Sequence, residues 1–163
     1  MRKCVTLDMD GTIADFYNYD RWLGYLLEGD ATPYAECEPL GDYREIDALL
    51  AQLKREGWRV EVVSWLARGC SREFGRETRA AKLEWLSRFY PSVDPRDVHV
   101  VKYGTNKARV SRTRGGLLLD DERGNCDEWE RSTCGGRAVQ VTGVDTVLGV
   151  LRALCAPRAS KAF

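Results

Sequence analysis

Short apolar runs that stop at acidic or hydroxyl residues, alternating with helix-patterned stretches, constrain this chain more than any other feature. Cys4-Val5-Thr6-Leu7 ends abruptly in Asp8-Met9-Asp10-Gly11-Thr12 and reads as a buried strand breaking into a loop. Asp42-Tyr43-Arg44-Glu45 has capping-box spacing, and Ile46, Leu49, Leu50 and Leu53 follow at i, i+3, i+4 and i+7 until Gly57 supplies a stop. Residues 58–64 alternate valines with charge, as a strand does. Ser71 is placed to cap a longer helix carrying Leu83, Leu86 and Phe89, which Pro91 ends. The rhythm continues with a strand at 98–102, a short helix at about 105–112, and an apolar strand at 117–119 ending in Asp120-Asp121. A helix near 122–131, a strand at 138–141 and a last helix at 144–154 complete it. Such alternation predicts an α/β fold with a parallel sheet covered by helices on both faces.

At 163 residues the chain can bury a core as one domain, expected over 1–155. Residues 15–40 break the rhythm: they are irregular and aromatic, with one helix near 19–27 and a turn at Gly29-Asp30, and read as an insertion. Residues 156–163 read as a loose tail. Lys plus Arg and Asp plus Glu are both 25, leaving no net charge to draw the whole molecule to nucleic acid or an anionic membrane. Charge for binding phosphate must therefore be local. No apolar stretch approaches the roughly 18 residues of a membrane span, and the opening Met-Arg-Lys lacks a leader pattern, so a cytoplasmic location is expected. The six cysteines show neither a CxxC pair nor zinc-finger spacing and are expected as reduced thiols.

In an open parallel sheet the ligand crevice lies outside the carboxyl ends of the strands. Asp8 and Asp10 follow the first strand, Ser64 ends the second, and Asp120 and Asp121 end the fourth. Four carboxylates gathered on one rim repel one another, and a divalent cation relieves that repulsion. Oxygen ligands without histidine or thiolate favour magnesium, held by Asp8, Asp10, Asp120 and Asp121. The single histidine, His99, lies inside an expected strand and outside this set. With a metal present, Asp8 is placed to attack phosphorus and Asp10 to act as acid and base. Ser64 and a lysine would hold the phosphoryl oxygens, and Met9 and Trp65 are further expected phosphate-binding positions. Two lysines are candidates, Lys102 ending a strand and Lys107 beginning a helix, and the spacing before the last acidic pair favours Lys107.

These motifs resemble those of the haloacid dehalogenase superfamily. Asp8-Met9-Asp10-Gly11-Thr12 is similar to its first motif, Val62-Val63-Ser64 to its second, Lys107 to its third, and Leu118-Leu119-Asp120-Asp121 to its fourth. The resemblance spans roughly residues 3–129. It implies a Rossmann-like three-layer α/β/α core with a short cap at about 15–40, an aspartyl-phosphate route and Mg2+. Within the superfamily the opening through Ile13-Ala14-Asp15-Phe16, and Asn106-Lys107 before Leu117-Leu118-Leu119-Asp120-Asp121, look like the 5'(3')-deoxyribonucleotidases. The insertion is shorter than the full helical cap of those enzymes, which would leave the mouth open.

The expected activity is thus hydrolysis of a small phosphate monoester, with nucleotides among the candidate substrates. Phe16, Tyr17, Tyr19, Trp22, Tyr25 and Tyr34 are expected to pack as a small lid ahead of serving as a stacking face for a base. Trp65 and Arg68 are candidates for the mouth. The alternatives are a polynucleotide-end phosphatase and a non-catalytic phospholigand-binding protein on the same fold. A nucleic-acid partner and a homo-oligomer stay open; a membrane partner is not expected.

Overall fold

The computed structural model describes residues 2–157. The elements are β1 (Cys4–Leu7), α1 (Trp22–Glu28), α2 (Thr32–Glu36), α3 (Tyr43–Arg55), β2 (Arg59–Trp65), α4 (Arg72–Phe89) and β3 (Val98–Val101). They continue with α5 (Lys107–Val110), β4 (Leu117–Asp120), α6 (Arg123–Ser132), β5 (Arg137–Gln140) and α7 (Val144–Cys155). Single 3-10 turns occupy Phe16–Asn18 and Pro95–Asp97.

Local chemistry sets the helix starts. The Asp42 carboxylate accepts the Arg44 and Glu45 N–H groups at 3.1 Å each, opening α3, and Ser71 Oγ accepts the Phe74 N–H at 3.1 Å, opening α4. Asn106 Oδ1 accepts the Arg109 N–H at 3.3 Å and opens α5. That helix is four residues long, shorter than the expected 105–112, because Ser111 leaves it for a partner on β2. Within 15–40 the helix begins at Trp22, after Arg21 in the left-handed region at φ 55°, and a second helix, α2, was not anticipated. Its Pro33 sits in the first turn, where a missing N–H breaks nothing.

All five strands run parallel in the order β3-β2-β1-β4-β5. The chain builds outward from β1 to β3, then crosses to the other side of β1 for β4 and β5. Consecutive crossovers of one hand must then put their helices on opposite faces in the two halves. On one face, α3, α4 and α7 bury Ile46, Leu50, Phe74, Trp85, Leu148 and Leu151 against Val5, Leu7, Val62 and Leu119. On the other, Ala108 of α5 and Trp129 of α6 cover Leu118. This α/β architecture, with a five-stranded all-parallel sheet between helical layers, is compatible with a Rossmann-like fold. The direction reversal between β1 and β4 leaves a crevice at their carboxyl ends.

All six cysteines are free, so the reduced reading holds and Cys126 and Cys134 are not paired. No helix among the described residues is long and apolar enough to cross a membrane. Of the expected tail, residues 158–163 lie outside the described part of the chain.

Candidate functional site

Residues one position apart on a strand face opposite helical layers, and that alternation builds the site. Thr6 pairs in register with Leu118, so Asp8 and Asp120, each two residues on, face the α5 and α6 side. Lys107, at the first position of α5, reaches both: its Nζ donates to Asp8 Oδ1 at 2.5 Å and to Asp120 Oδ2 at 2.6 Å. Asp120 is fully buried, and its Oδ1 also accepts the Glu122 N–H and the Asn125 side-chain amide, each at 3.0 Å.

The opposite face supplies a second cation. Lys82, on α4, is fully buried and donates to Asp10 Oδ2 at 2.5 Å, Ser64 Oγ at 2.8 Å and the Trp65 carbonyl at 2.9 Å. Its ammonium also lies 4.5 Å from the centre of the Tyr34 ring. Asp10 Oδ1 is buried without a partner. Lys82 was not anticipated as a site residue. Leu83, Leu86 and Phe89 mark this helix in the sequence, whereas its buried stripe runs through Phe74, Thr78, Lys82, Trp85 and Leu86. A lysine at four-residue spacing within an apolar stripe was the readable sign.

A cavity of about 440 Å³ opens from this rim. Asp8, Asp10, Lys107, Asp121 and Asn125 line its polar end. Phe16, Trp22, Leu26 and Tyr34 form one wall, and Trp65, Leu66, Arg68 and Tyr103 form the other. Among the described residues, the large apolar side chains that stand most exposed, Tyr17, Leu23, Leu27 and Tyr103, all border this same cavity. Of the six aromatics singled out in 15–40, Phe16, Tyr17, Trp22 and Tyr34 line it and pack on one another, with Phe16 stacked on Tyr34 at 4.5 Å. Tyr19 and Tyr25 instead meet each other edge to face, and Tyr19 donates to Glu36.

The expected site residues thus divide. Asp8, Asp10, Asp120, Asp121 and Lys107 converge. Ser64 is fully buried behind the rim, where its hydroxyl oxygen serves Lys82 and does not border the cavity. Met9 is buried in the core, while its carbonyl accepts the N–H groups of Thr12, Ile13 and Ala14 and shapes the loop. Trp65 borders the cavity, its Nε1 donating to the Thr105 carbonyl at 2.9 Å and its ring 5.2 Å from Lys107 Nζ. Lys102 is exposed and takes no part.

Asp8, Asp120 and Asp121 each offer an oxygen within 4.8 Å of the others, a buried acidic triad able to hold a metal ion. Asp10 is outside this group, its carboxylate engaged by Lys82. Charge supports the fit: Asp8, Asp10, Asp120 and Asp121 carry −4 when ionised, Lys82 and Lys107 carry +2, and the sum of −2 matches one divalent cation. Without an ion, Asp10, Asp120 and Asp121 resist ionisation. Burial, then the charges of Asp8 and Asp120, push the Asp121 carboxyl up to about 7. Burial likewise raises Asp120, with Asp8 adding to it, and outweighs the opposing Lys107. For Asp10, burial again outweighs Lys82 and raises the carboxyl. Burial opposes the charge on Lys107, but Asp8 and Asp120 prevail and push it up to about 12.

No protein-family model matches the chain, and no curated protein matches it.

Proposed function

We propose that the chain is a Mg2+-dependent phosphomonoester hydrolase acting through an aspartyl-phosphate on Asp8, in line with its resemblance to the haloacid dehalogenase superfamily. The single observation that carries this reading is the pair of carboxylates at the polar end of the cavity, Asp8 gripped by Lys107 from one face of the sheet and Asp10 by Lys82 from the other. Asp8 is held by Lys107, which stays charged and keeps a carboxylate oriented as a nucleophile. Asp10 borders the cavity and burial raises its affinity for a proton, which suits it to general acid work.

In the first step an Asp8 oxygen attacks phosphorus, and the bond from phosphorus to the ester oxygen breaks. The leaving oxygen keeps that electron pair and takes the proton from Asp10. In the second step Asp10 removes a proton from water as the water oxygen attacks phosphorus, which frees Asp8 and releases inorganic phosphate. Lys107 compensates charge on the phosphoryl oxygens and on Asp8, and Lys82 holds Asp10 in place. Mg2+, held by Asp8, Asp120 and Asp121, would neutralise phosphoryl charge so that an anionic nucleophile can approach. Hard oxygen donors favour this ion over softer metals.

The walls of the cavity support a leaving group with an apolar, flat body, and (deoxy)nucleoside monophosphates fit that description. The segment 15–40 then acts as a short cap, its α1 forming one lip. A panel of aryl phosphates, nucleotides, sugar phosphates and end-phosphorylated oligonucleotides, assayed with and without Mg2+, tests the reading. Turnover that requires Mg2+ and vanishes in Asp8→Asn is expected. Full turnover in Asp8→Asn removes Asp8 from the chemistry.

A further inference from the structure

Glu61 is a fully buried carboxylate that the chemistry above does not use. Alternation of valine and charge in residues 58–64 places such a residue on a solvated face, yet it is closed off completely. Thr6 pairs with both Glu61 and Leu118, so Glu61 faces the α5 layer, about 7 Å along the strand direction from the level of Asp8. Its Oε2 accepts the Ser111 hydroxyl at 2.7 Å, its Oε1 accepts the Arg112 N–H at 3.2 Å, and Arg59 Nη1 lies 3.8 Å away. The Ser111 N–H in turn donates to the Lys107 carbonyl at 3.0 Å. A chain of two hydrogen bonds thus links Glu61 to the backbone of the lysine that grips Asp8.

A one-turn helix has no stability of its own, so where α5 sits is decided by its anchors. At its front, Trp65 holds the Thr105 carbonyl, and Asn106 donates to Ser132 Oγ at 3.0 Å. Glu61 supplies the rear anchor, in the low-dielectric interior where two bonds to a charged acceptor are strong. We infer that Glu61 is a positioning residue for Lys107: it fixes α5 so that the ammonium lies between Asp8 and Asp120. Its effect on turnover rests on the phosphatase reading; its effect on the acidic triad does not.

A double-mutant cycle on the full chain tests this, with wild type, Glu61→Gln, Lys107→Ala and the double variant assayed well below their unfolding temperatures. Gln keeps the size of the side chain but has one terminal acceptor in place of two and no charge, so it cannot accept both the Ser111 hydroxyl and the Arg112 N–H as Oε2 and Oε1 do. Glu61→Gln is expected to lower kcat for an aryl phosphate by about tenfold with KM nearly unchanged, since small displacements of a catalytic group carry such losses. In the Lys107→Ala background the same change is expected to have no further effect. An equal fold loss in both backgrounds, or none in either, overturns the inference, because a general structural role acts without regard to Lys107.

Calorimetric titration with Mg2+ alone gives a second cycle that needs no turnover. Removing the competing ammonium in Lys107→Ala is expected to tighten Mg2+ binding by about tenfold or more. Glu61→Gln is expected to change the affinity only where Lys107 is present; a change of equal size in both backgrounds, or none, again overturns the inference. Absent turnover in the wild type would remove the phosphatase reading while leaving this second cycle decisive. Should Glu61→Gln not fold, Ser111→Ala breaks the same link and carries both cycles.

Discussion

Lys82 and Lys107 converge on one acidic rim from opposite faces of the same sheet, Lys82 Nζ lying 2.5 Å from Asp10 and Lys107 Nζ 2.5 Å from Asp8. Asp8 and Asp10 are two residues apart, but the loop that follows β1 turns their side chains to different cations. Each lysine is anchored in a different layer, so the two carboxylates are positioned independently.

Lys82→Met is expected to destabilise the fold by about 3 kcal/mol, because it leaves Asp10 desolvated beside a methyl group with no cation. Urea unfolding of the variant against wild type measures this. A loss below about 1 kcal/mol would show that Asp10 simply takes up a proton and that Lys82 is dispensable to it.

The Asp121 carboxyl, pushed up to about 7 from an unfolded value near 4, favours its protonated form in the native state. Its contribution to stability is therefore complete below about pH 4 and is lost as the pH rises through about 7. A divalent ion held by the triad reverses that trend by favouring ionised carboxylates. The Mg2+-induced rise in Tm is thus expected to be larger at pH 8 than at pH 5.5, by about 2–4 °C per kcal/mol of added binding free energy. Asp121→Asn is expected to flatten the difference and weaken Mg2+ binding. Equal shifts at the two pH values would count against a metal at these residues.

Gly11 has φ +79°, and a Cβ there would lie 2.5 Å from Asp121 Oδ2 and 2.8 Å from the Tyr17 ring. Gly11→Ala is expected to lose about 1–2 kcal/mol through the left-handed backbone alone, and also to displace Asp121 and weaken Mg2+ binding. Gly57→Ala provides the comparison: φ is +82° with open space around it, so the backbone penalty is expected without any change in metal affinity. Calorimetry on both variants separates strain from site damage.

Leu27 is 81% exposed and borders the cavity mouth. Leu27→Gln is expected to change stability by no more than about 0.5 kcal/mol while raising KM for an aryl phosphate and leaving kcat unchanged. Unaltered KM would place the leaving group away from α1.

The sequence by itself determined the order of strands and helices and the ends at which Asp8, Asp10, Asp120, Asp121 and Lys107 appear. Those features are local: Asp42 and Ser71 cap the helices beside them, and a three-residue apolar run such as Leu117-Leu118-Leu119 ends where its neighbours turn polar. Boundaries shifted by one to three residues, as at β2, where the strand runs through Trp65, and at α1, which starts at Trp22; the helix α2 in 15–40 carried too little periodicity to be read. Only the tertiary structure decided which face each polar side chain met. Strand alternation assigns Ser64 and Glu61 to opposite layers, but the partner waiting in each layer comes from a helix elsewhere in the chain: Lys82 for the one, Ser111 for the other. A buried charge is stable only when such a partner arrives, and no local pattern records that arrival.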